Sequence, residues 1–304
     1  DVYKRQGLHP VRERPTRVNS SRQFFRFTQV ELPWALGPPD GRYLLRAEGA
    51  PPDAAPVHVL VIATLGAPER RRFAKSKRQA EPEPEPAPVT TGRATVIEVG
   101  DSFPDEARAR AWLSASGEPE LAAGLAVLNR ALHAFRLVTA DPFMTAIGRH
   151  QALVARIGFG AGEQVADGLW TDAVELTEKR GRQRRATVLQ PQARLAAVLN
   201  GRETALASEE LTLRARFDLD HDRYREAALQ VLVALDAAIA ELALDPAAEA
   251  LAQRLDELRG RREQTTTAAQ EALAGPLSEE TIDQVAFTLK RIEAIFRARA
   301  VANA

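Results

Sequence analysis

The residues most able to do chemistry lie between residues 141 and 176, where a histidine, several carboxylates and a glycine-rich turn follow one another. A histidine near carboxylates can act as a general acid or base, and glycines let a backbone approach a substrate closely. The pocket predicted on this basis comprises His150, Gly158, Gly160, Gly162, Glu163 and Trp170. Acidic residues are common on any protein surface, so the interpretation that these residues only shape the fold is preferred to an enzyme site.

The glycine-rich turn has the spacing Gly158-x-Gly160-x-Gly162 after an apolar stretch, which resembles the spacing in nucleotide-binding loops. The dinucleotide fingerprint needs glycine or alanine at its sixth position, and that position is Glu163 or Val165 here. A carboxylate there would repel a pyrophosphate, and the Gly-Lys-Ser/Thr ending of a P-loop is missing. The spacing therefore predicts a turn that joins two elements, and the sequence predicts no cofactor.

Asp218, Asp220 and Asp222 alternate as they do at the start of a calcium-binding loop. Such a loop needs glycine at its sixth position and glutamate at its twelfth, where this chain has Arg223 and Leu229. We therefore expect these aspartates to cap the helix that follows, where negative charge meets the positive end of the helix dipole. The histidines lack the spacing of a zinc site and the chain has no cysteine, so no metal site is predicted.

Two clusters of basic residues offer contacts to phosphate-rich or acidic partners. One is a block at 70–78, and the other is a loop around Gly181. The net charge is zero, so no field of the whole protein attracts nucleic acid, and any such contact must be local and salt-sensitive. The predicted binding residues are Arg70, Arg71, Arg72, Arg180, Arg182, Arg184 and Arg185. The simpler interpretation of the first block is a solvated linker.

The composition is that of an ordinary globular protein, with 45% hydrophobic and 27% charged residues in a chain of 304. The absence of cysteine fits a reducing compartment and excludes thiolate catalysis. No run approaches the ~20 apolar residues of a membrane-spanning helix, and no secretory leader is visible. We therefore expect a cytoplasmic protein without a membrane partner. The first residues, which lack methionine, suggest a sequencing remnant within a disordered tail over 1–22.

The N-terminal part alternates between strand signals and turn signals. Aromatic and β-branched residues predict four strands, at 24–32, 42–46, 57–65 and 93–99. The first three form a small antiparallel β region over 23–66, and the fourth either completes that sheet or begins the next domain. A charged, proline-rich linker over 67–91 follows the β region, because alternating proline disfavours helix and sheet. Trp34 and Tyr43 are candidates for a ligand-stacking pair, although such residues more often cap a small core.

Apolar residues at steps of three and four predict a mainly helical region over 92–304. The clearest signal is a pair of antiparallel helices over 218–258, joined at Asp245-Pro246, because proline cannot continue a helix. A strand at 153–157 should end at the glycine turn. Further helices are predicted at 105–115, 120–138, 203–216 and 259–274, and a last helix is predicted from Ser278 onward. The heptad stripe of the last helix could serve a second copy of the chain, but packing on its own domain is the preferred interpretation.

Four segments resemble a family of actinobacterial, high-GC bacterial proteins of unknown function. The segments are FFRFTQVELPWALGPPDGRYLLR, HVLVIATLGAPERR, LVARIGFGAGEQVADGLW and LRARFDLDHDRYREAALQ, and the similarity runs over about 24–242. The resemblance implies a bacterial cytoplasmic setting and carries no information on chemistry.

The sequence therefore predicts an α+β fold with a small N-terminal sheet, a proline-rich linker and a larger helical region. The preferred function is a non-enzymatic binding or adaptor protein, with a protein or nucleic acid partner held by the basic residues. The alternative is an enzyme of unknown class with a site around His150 to Asp172. A third interpretation is a structural homo-oligomer that pairs through the last helix.

Overall fold

The structure, a computed structural model, describes residues 23–47, 49–51, 53–66, 90–177, 192 and 194–302. The chain divides into two compact units, 1–178 and 179–304, and the two are described separately. The fold is α+β, as the sequence predicts, with a sheet in the first unit and a helical bundle in the second.

The N-terminal unit is built on a six-stranded sheet in which every neighbouring pair is antiparallel. The strands are β1 Phe25–Leu32, β2 Gly41–Leu45, β3 His58–Leu65, β4 Thr91–Glu98, β5 Val154–Gly160 and β6 Asp172–Glu175. Their order across the sheet is β2-β3-β4-β1-β5-β6, so β2 and β6 are the edges. The middle of β3, from Val59 to Ala63, is apolar on both faces, and its residues are buried or half-buried.

The predicted boundary between a β region ending at 66 and a helical region starting at 92 differs from the structure. β4 pairs with both β1 and β3, and β5 and β6 return to the same sheet after the two helices. These pairings are long-range in sequence, and no local pattern specifies them. The division between the units therefore lies at 178–179, beyond the last strand.

Two helices, α1 (Glu106–Ala115) and α2 (Glu118–Thr139), cover one face of the sheet. The carboxylate of Asp105 caps α1 by accepting a hydrogen bond from the backbone N–H of Arg108 at 2.8 Å. The carboxylate of Glu120 accepts one from the N–H of Gly117 at 2.6 Å, so both helices begin with satisfied N–H groups. The predicted leucine stripe of α2 is buried against the sheet: Leu121, Leu125, Leu128 and Leu132.

α2 is the one helix in the described part of the chain that is long and apolar enough to cross a membrane. Its leucine stripe is buried in the unit's core. Its Asn129 side chain donates to the carbonyl of Ile147 at 3.0 Å and accepts from the N–H of Ile147 at 2.7 Å. These contacts are those of a core helix in a folded unit.

The two helices cover the sheet unevenly. α1 packs on β5 and β6, while α2 packs mainly on β1, β4 and β5. Gly124 permits the closest approach of α2, because any side chain there would collide with Thr28 of β1. β2 and β3, at one edge of the sheet, therefore extend beyond α2. On the face that carries the helices, they form one wall of an open groove.

The C-terminal unit is a bundle of four helices within the described range 194–302, preceded by a short helical stretch at 194–199. The helices are α3 Ala207–Leu219, α4 Tyr224–Leu242, α5 Ala248–Ala274 and α6 Glu279–Ala302. One apolar cluster runs through all four. The predicted pair of antiparallel helices is confirmed, with α4 packed on α5 across the Asp245-Pro246 corner.

The last helix also begins and packs as predicted. The hydroxyl of Ser278 accepts a hydrogen bond from the N–H of Thr281 at 3.2 Å, which caps the start of α6. The heptad stripe is fully covered inside its own unit, with Val285 2%, Leu289 0% and Ile292 0% exposed. This stripe therefore belongs to the core of the bundle.

Two details of the helical unit differ from the prediction. α5 continues without a break through Gly260 to Ala274, because small residues on its second half pack into the bundle and offset its weak helix signal. The aspartates before α4 do not cap it, since its first turn has no side-chain cap. Instead, Asp218 pairs with Arg223 at 3.0 Å and Asp222 accepts a hydrogen bond from the Tyr224 hydroxyl at 2.6 Å.

A polar cluster ties the ends of the helices together. The guanidinium of Arg299 donates to the carboxylate of Asp245 at 2.7 Å, and these side chains are 9% and 4% exposed. Arg194 binds Glu203 at 2.7 Å and Glu209 at 2.6 Å, which places both carboxylates within 3.8 Å of Arg299. The cluster therefore connects the loop before α3, the α4–α5 corner and the end of α6.

Two carboxylates remain ionised here despite their burial: Asp245, and Glu241, which is close enough to Arg299 to be affected by its charge. Burial alone would raise the pKa of Glu241, but hydrogen bonds from Ser208 and Ala207 and the charge of Arg299 outweigh it and lower that pKa. The pKa of Asp245 is likewise lowered, because the N–H of Ala247 and the guanidinium of Arg299 outweigh its burial. A neutral form of either acid would therefore weaken the bundle.

Candidate functional site

The N-terminal unit contains an open groove of about 480 Å³ between the β2–β3 edge of the sheet and α2. This volume lies in the range of ~300–1,000 Å³ that is typical of small-molecule sites. The walls are almost entirely apolar, and two arginines are the charged residues among them. The lining residues are Pro38, Tyr43, Leu45, Arg46, Leu60, Ile62, Arg130, Ala131, Ala134, Phe135 and Val138.

Strand alternation and helix periodicity explain why these side chains face the same space. Tyr43 and Leu45 lie two residues apart on β2, and Leu60 and Ile62 do the same on β3, so each pair lies on one face of the sheet. On α2, the small side chains of Ala131 and Ala134 stand beside the leucine stripe. Because they are short, they leave open space between the helix and the outer strands.

Arg46 and Arg130 lie together at one end of the groove. An Nη of Arg130 donates to the backbone carbonyl of Arg46 at 3.0 Å, and the Nε of Arg46 donates to the carbonyl of Ala54 at 2.7 Å. Within the described residues, no carboxylate forms an ion pair with either guanidinium. By contrast, Arg42 and Arg93 of the same unit pair with Glu163 and Glu31.

His58 lies next to this cationic end. It shares a face of β3 with Leu60 and Ile62, and burial followed by the charge of Arg130 lowers its pKa. Its Nδ1 is buried and finds no hydrogen-bond partner among the described residues. The end of the groove is therefore a site of positive potential that a nearby anion would relieve.

The lining of the groove offers apolar contacts and few groups that could transfer a proton. Of its described lining residues, none is a carboxylate, a histidine or a residue with an aliphatic hydroxyl, so no general acid–base pair faces the space. The hydroxyl of Tyr43 is already used, since it donates to the carbonyl of Pro39 at 2.6 Å. What remains is an apolar surface with positive charge at one end.

The residues of the predicted pocket lie elsewhere in the unit, where the glycines serve packing. The predicted strand end at 157 is wrong, because β5 continues through Gly158 to Gly160. A Cβ at Gly158 would lie 2.5 Å from the carbonyl oxygen of Asp172, and one at Gly160 would lie 2.5 Å from Val165. Gly162 has a φ of +121°, which only glycine adopts without strain. These glycines let β6 and the 3-10 helix Glu163–Asp167 pack closely on β5.

The structure brings five of the six predicted pocket residues together and separates the sixth. Glu163 forms an ion pair with Arg42 at 2.5 Å, and the ring of Trp170 packs on Phe27 with 5.7 Å between ring centroids. His150 is exposed and precedes the opposite end of β5, so the length of the strand, roughly 20 Å, separates it from Gly160. An acid–base site that uses His150 with Glu163 is not assembled, and the enzyme alternative stays a prediction without geometric support.

A buried polar network lies on the sheet face beneath the 3-10 helix. Glu31 accepts hydrogen bonds from Arg93 at 2.9 Å and from Arg156 at 3.4 Å. Gln29 accepts from Arg156 at 2.8 Å and donates to Thr95 at 2.8 Å. Glu175 pairs with Arg156 at 3.6 Å, so two guanidiniums face two carboxylates, and the network stabilises this face of the sheet.

The seven predicted binding arginines, at 70–72, 180, 182, 184 and 185, lie outside the described residues. Of the candidate stacking pair, Tyr43 lines the groove, while Trp34 is 41% exposed and does not. Arg130 and Phe135 were not recognised as site residues from the sequence. A sequence signal for the groove does exist. Small apolar residues such as Ala131 and Ala134 make the apolar face of α2 wider than its leucine stripe.

No group of three or more His, Asp or Glu side chains that could hold a metal ion occurs in the described ranges. In the comparisons with known proteins, no family model, no curated protein and no solved structure matches the chain.

Proposed function

We propose that the protein is a non-enzymatic binding protein whose N-terminal unit takes a small apolar molecule in the groove. The observation that carries this proposal is the groove itself, about 480 Å³ of space with apolar walls and no catalytic pair. A ligand there would remove the exposed parts of Leu45, Phe135 and Val138 from water, which is the main driving force for apolar binding.

Ala134→Trp should abolish binding of a neutral apolar probe, 1-octanol, to the full chain. The indole would occupy the space that Ala134 leaves open, and because this residue is exposed the fold should tolerate the change. Binding is measured by calorimetric titration and by saturation-transfer NMR on the octanol signals.

Ala122→Trp is the matched control, since it adds the same side chain to an exposed position of α2 outside the groove lining. We expect it to bind octanol as the unmodified chain does. Undiminished binding in Ala134→Trp, or no binding in the unmodified chain, would contradict the proposal.

A second role, contact with an acidic or phosphate-rich partner in the cytoplasm, is supported by the distribution of charge. The segments 1–22, 67–89 and 178–193 contain 17 of the 41 Arg and Lys residues but only 7 of the 41 Asp and Glu residues. The rest of the chain therefore carries an excess of acidic residues. The positive surplus is concentrated before β1, between β3 and β4, and around the division between the two units. Local positive charge of this kind favours salt-dependent contacts to phosphate.

Replacing Arg70, Arg71, Arg72, Arg180, Arg182, Arg184 and Arg185 with glutamine should abolish retention of the chain on a phosphate-rich matrix such as phosphocellulose at low salt. Retention of the unmodified chain should fall steeply as the salt concentration is raised, because ionic strength screens the contacts to phosphate. A variant with seven exposed arginines or lysines of the folded units replaced is the control. Equal retention of both variants would argue against the basic segments as the binding surface.

A further inference from the structure

We propose that the groove selects an amphipathic carboxylate, with its headgroup on Arg46 and Arg130 and its apolar tail along α2. This inference rests on the proposed function of the groove and adds the chemical class of the ligand. The shape, the charge and the donor geometry of the site each support it.

The groove has a cationic end and an apolar end. Along α2 it runs from Arg130 to Val138, which is about 12 Å of helix at roughly 1.5 Å per residue. Phe135, Val138 and Pro38 enclose the far end, and no described charged side chain lines it. A ligand that fills this space therefore needs one polar headgroup and a tail of medium length.

The charge at the cationic end is unusual for this unit. Residues 23–66 and 90–177 contain 10 Arg and Lys residues against 15 Asp and Glu residues, so carboxylates are in excess. Even so, neither Arg46 nor Arg130 forms an ion pair with a carboxylate of the described part. The charge of Arg130 also reaches the neighbouring His58, where, after burial, it is the second cause of the lowered pKa. The complement of this end is a negatively charged group.

The free N–H donors fit a carboxylate, and the cost of dehydration favours it over a phosphate monoester. One Nη–H of Arg130 and the Nε–H of Arg46 are bound to backbone carbonyls, which leaves four of the five N–H groups on each guanidinium. These suit the two oxygens of a carboxylate, which arginine binds through paired N–H groups. A doubly charged phosphate would lose more hydration free energy than a singly charged carboxylate when it enters a groove with apolar walls.

The test compares octanoate, octyl phosphate and 1-octanol on the full chain at pH 8 by calorimetric titration. We expect octanoate to bind about tenfold or more tightly than octanol, the size of effect that charge-assisted hydrogen bonds give. Arg130→Gln should remove this difference by weakening the binding of octanoate far more than the binding of octanol. Octyl phosphate should bind more weakly than octanoate, and the reverse order would overturn the choice of headgroup.

Arg136→Gln is the matched control, because it removes the same charge from α2 at a residue that does not line the groove. It should preserve the preference for octanoate. Equal binding of octanoate and octanol by the unmodified chain would overturn the carboxylate proposal while leaving the groove as an apolar site. Absence of binding by all three ligands would instead reject the proposed function.

The pKa of His58 provides a second readout that locates the headgroup. The charged groups around His58 are Arg130 on α2, whose charge lowers its pKa, and Glu98, its partner on β4, which is paired with Arg26. Its partner on β2 is the uncharged Leu45. A bound carboxylate would offset the charge of Arg130 and raise the pKa of His58 toward its ordinary value of 6.5. The imidazole signals, followed by NMR, should show this rise with octanoate and no change with octanol. The same rise with both would overturn the placement of the headgroup.

The chain's own carboxylates are the competing occupants. Glu48 follows Arg46 closely, and Glu81, Glu83 and Glu85 lie between β3 and β4 in sequence. If Glu48→Gln, or the joint change of Glu81, Glu83 and Glu85 to glutamine, tightens octanoate binding tenfold, the arginines are already neutralised within the chain and the proposal is wrong. Unchanged binding in both variants supports an external ligand.

Discussion

Leu235→Asp should prevent the helical unit from folding. Leu235 is 0% exposed and lies in the middle of α4, among the buried residues that face α5 and the rest of the bundle. Removing the leucine alone would cost about 2–5 kcal/mol. A carboxylate in the same place adds the penalty of an unpaired buried charge, so the total should exceed the ~5–15 kcal/mol by which a domain of this kind is stable, or come close to it.

The measurement is a far-ultraviolet circular dichroism melt of the full chain, in which the bundle's helical signal should be largely lost at 25 °C. Val233→Asp is the control, because it puts the same charge on α4 at a residue that is 53% exposed. That variant should melt within a few degrees of the unmodified chain. An unchanged melt for Leu235→Asp would show that α4 does not pack as described.

Arg299→Met should be the second most damaging change and should destabilise the bundle by about 3–5 kcal/mol. The loss of the guanidinium leaves the carboxylate of Asp245 without its partner. Because this carboxylate is only 4% exposed, water cannot replace the lost contact. Glu203 and Glu209 keep Arg194 but lose the second positive charge beside them. The effect is measured as a lower midpoint of urea denaturation with an unchanged m-value.

Two further variants separate the buried charge from general damage. Arg299→Met combined with Asp245→Asn should regain most of the lost stability, because Asp245, the most buried carboxylate beside Arg299, then carries no charge. Arg262→Met removes an arginine from an exposed pair with Asp236 and should lower the stability of the bundle far less than Arg299→Met does. Equal losses from Arg299→Met and Arg262→Met would contradict the role given to the buried pair.

The helical unit was largely predictable because its signals are local. The stripe from Ala228 to Leu242, the Asp245-Pro246 corner and the cap at Ser278 each depend on residues within a few turns of one another. The same locality explains the errors. The continuation of α5 through Gly260 depends on packing against the bundle, and the pairing of Asp218 with Arg223 depends on the shape of a tight connection.

The sheet and the candidate site were less predictable because they depend on contacts between distant segments. A glycine-rich strand such as β5 has the same local pattern as a turn, and only its pairing with β1 and β6 identifies it as a strand. Arg130 and Tyr43 line the same groove from segments far apart in sequence, so spacing alone does not associate them. The aromatic residue that lines the groove with Tyr43 is Phe135, and Trp34 does not line it.

The most direct test of the binding groove is a methyl NMR titration of the full chain with octanoate. We expect saturable shifts of the methyl signals of Leu45, Leu60, Ile62 and Val138, which line the groove. The signals of Leu235, Leu251 and Leu289, which lie in the core of the helical unit, should not move. Shifts confined to the helical unit, or none at all at millimolar octanoate, would show that octanoate does not bind in the groove.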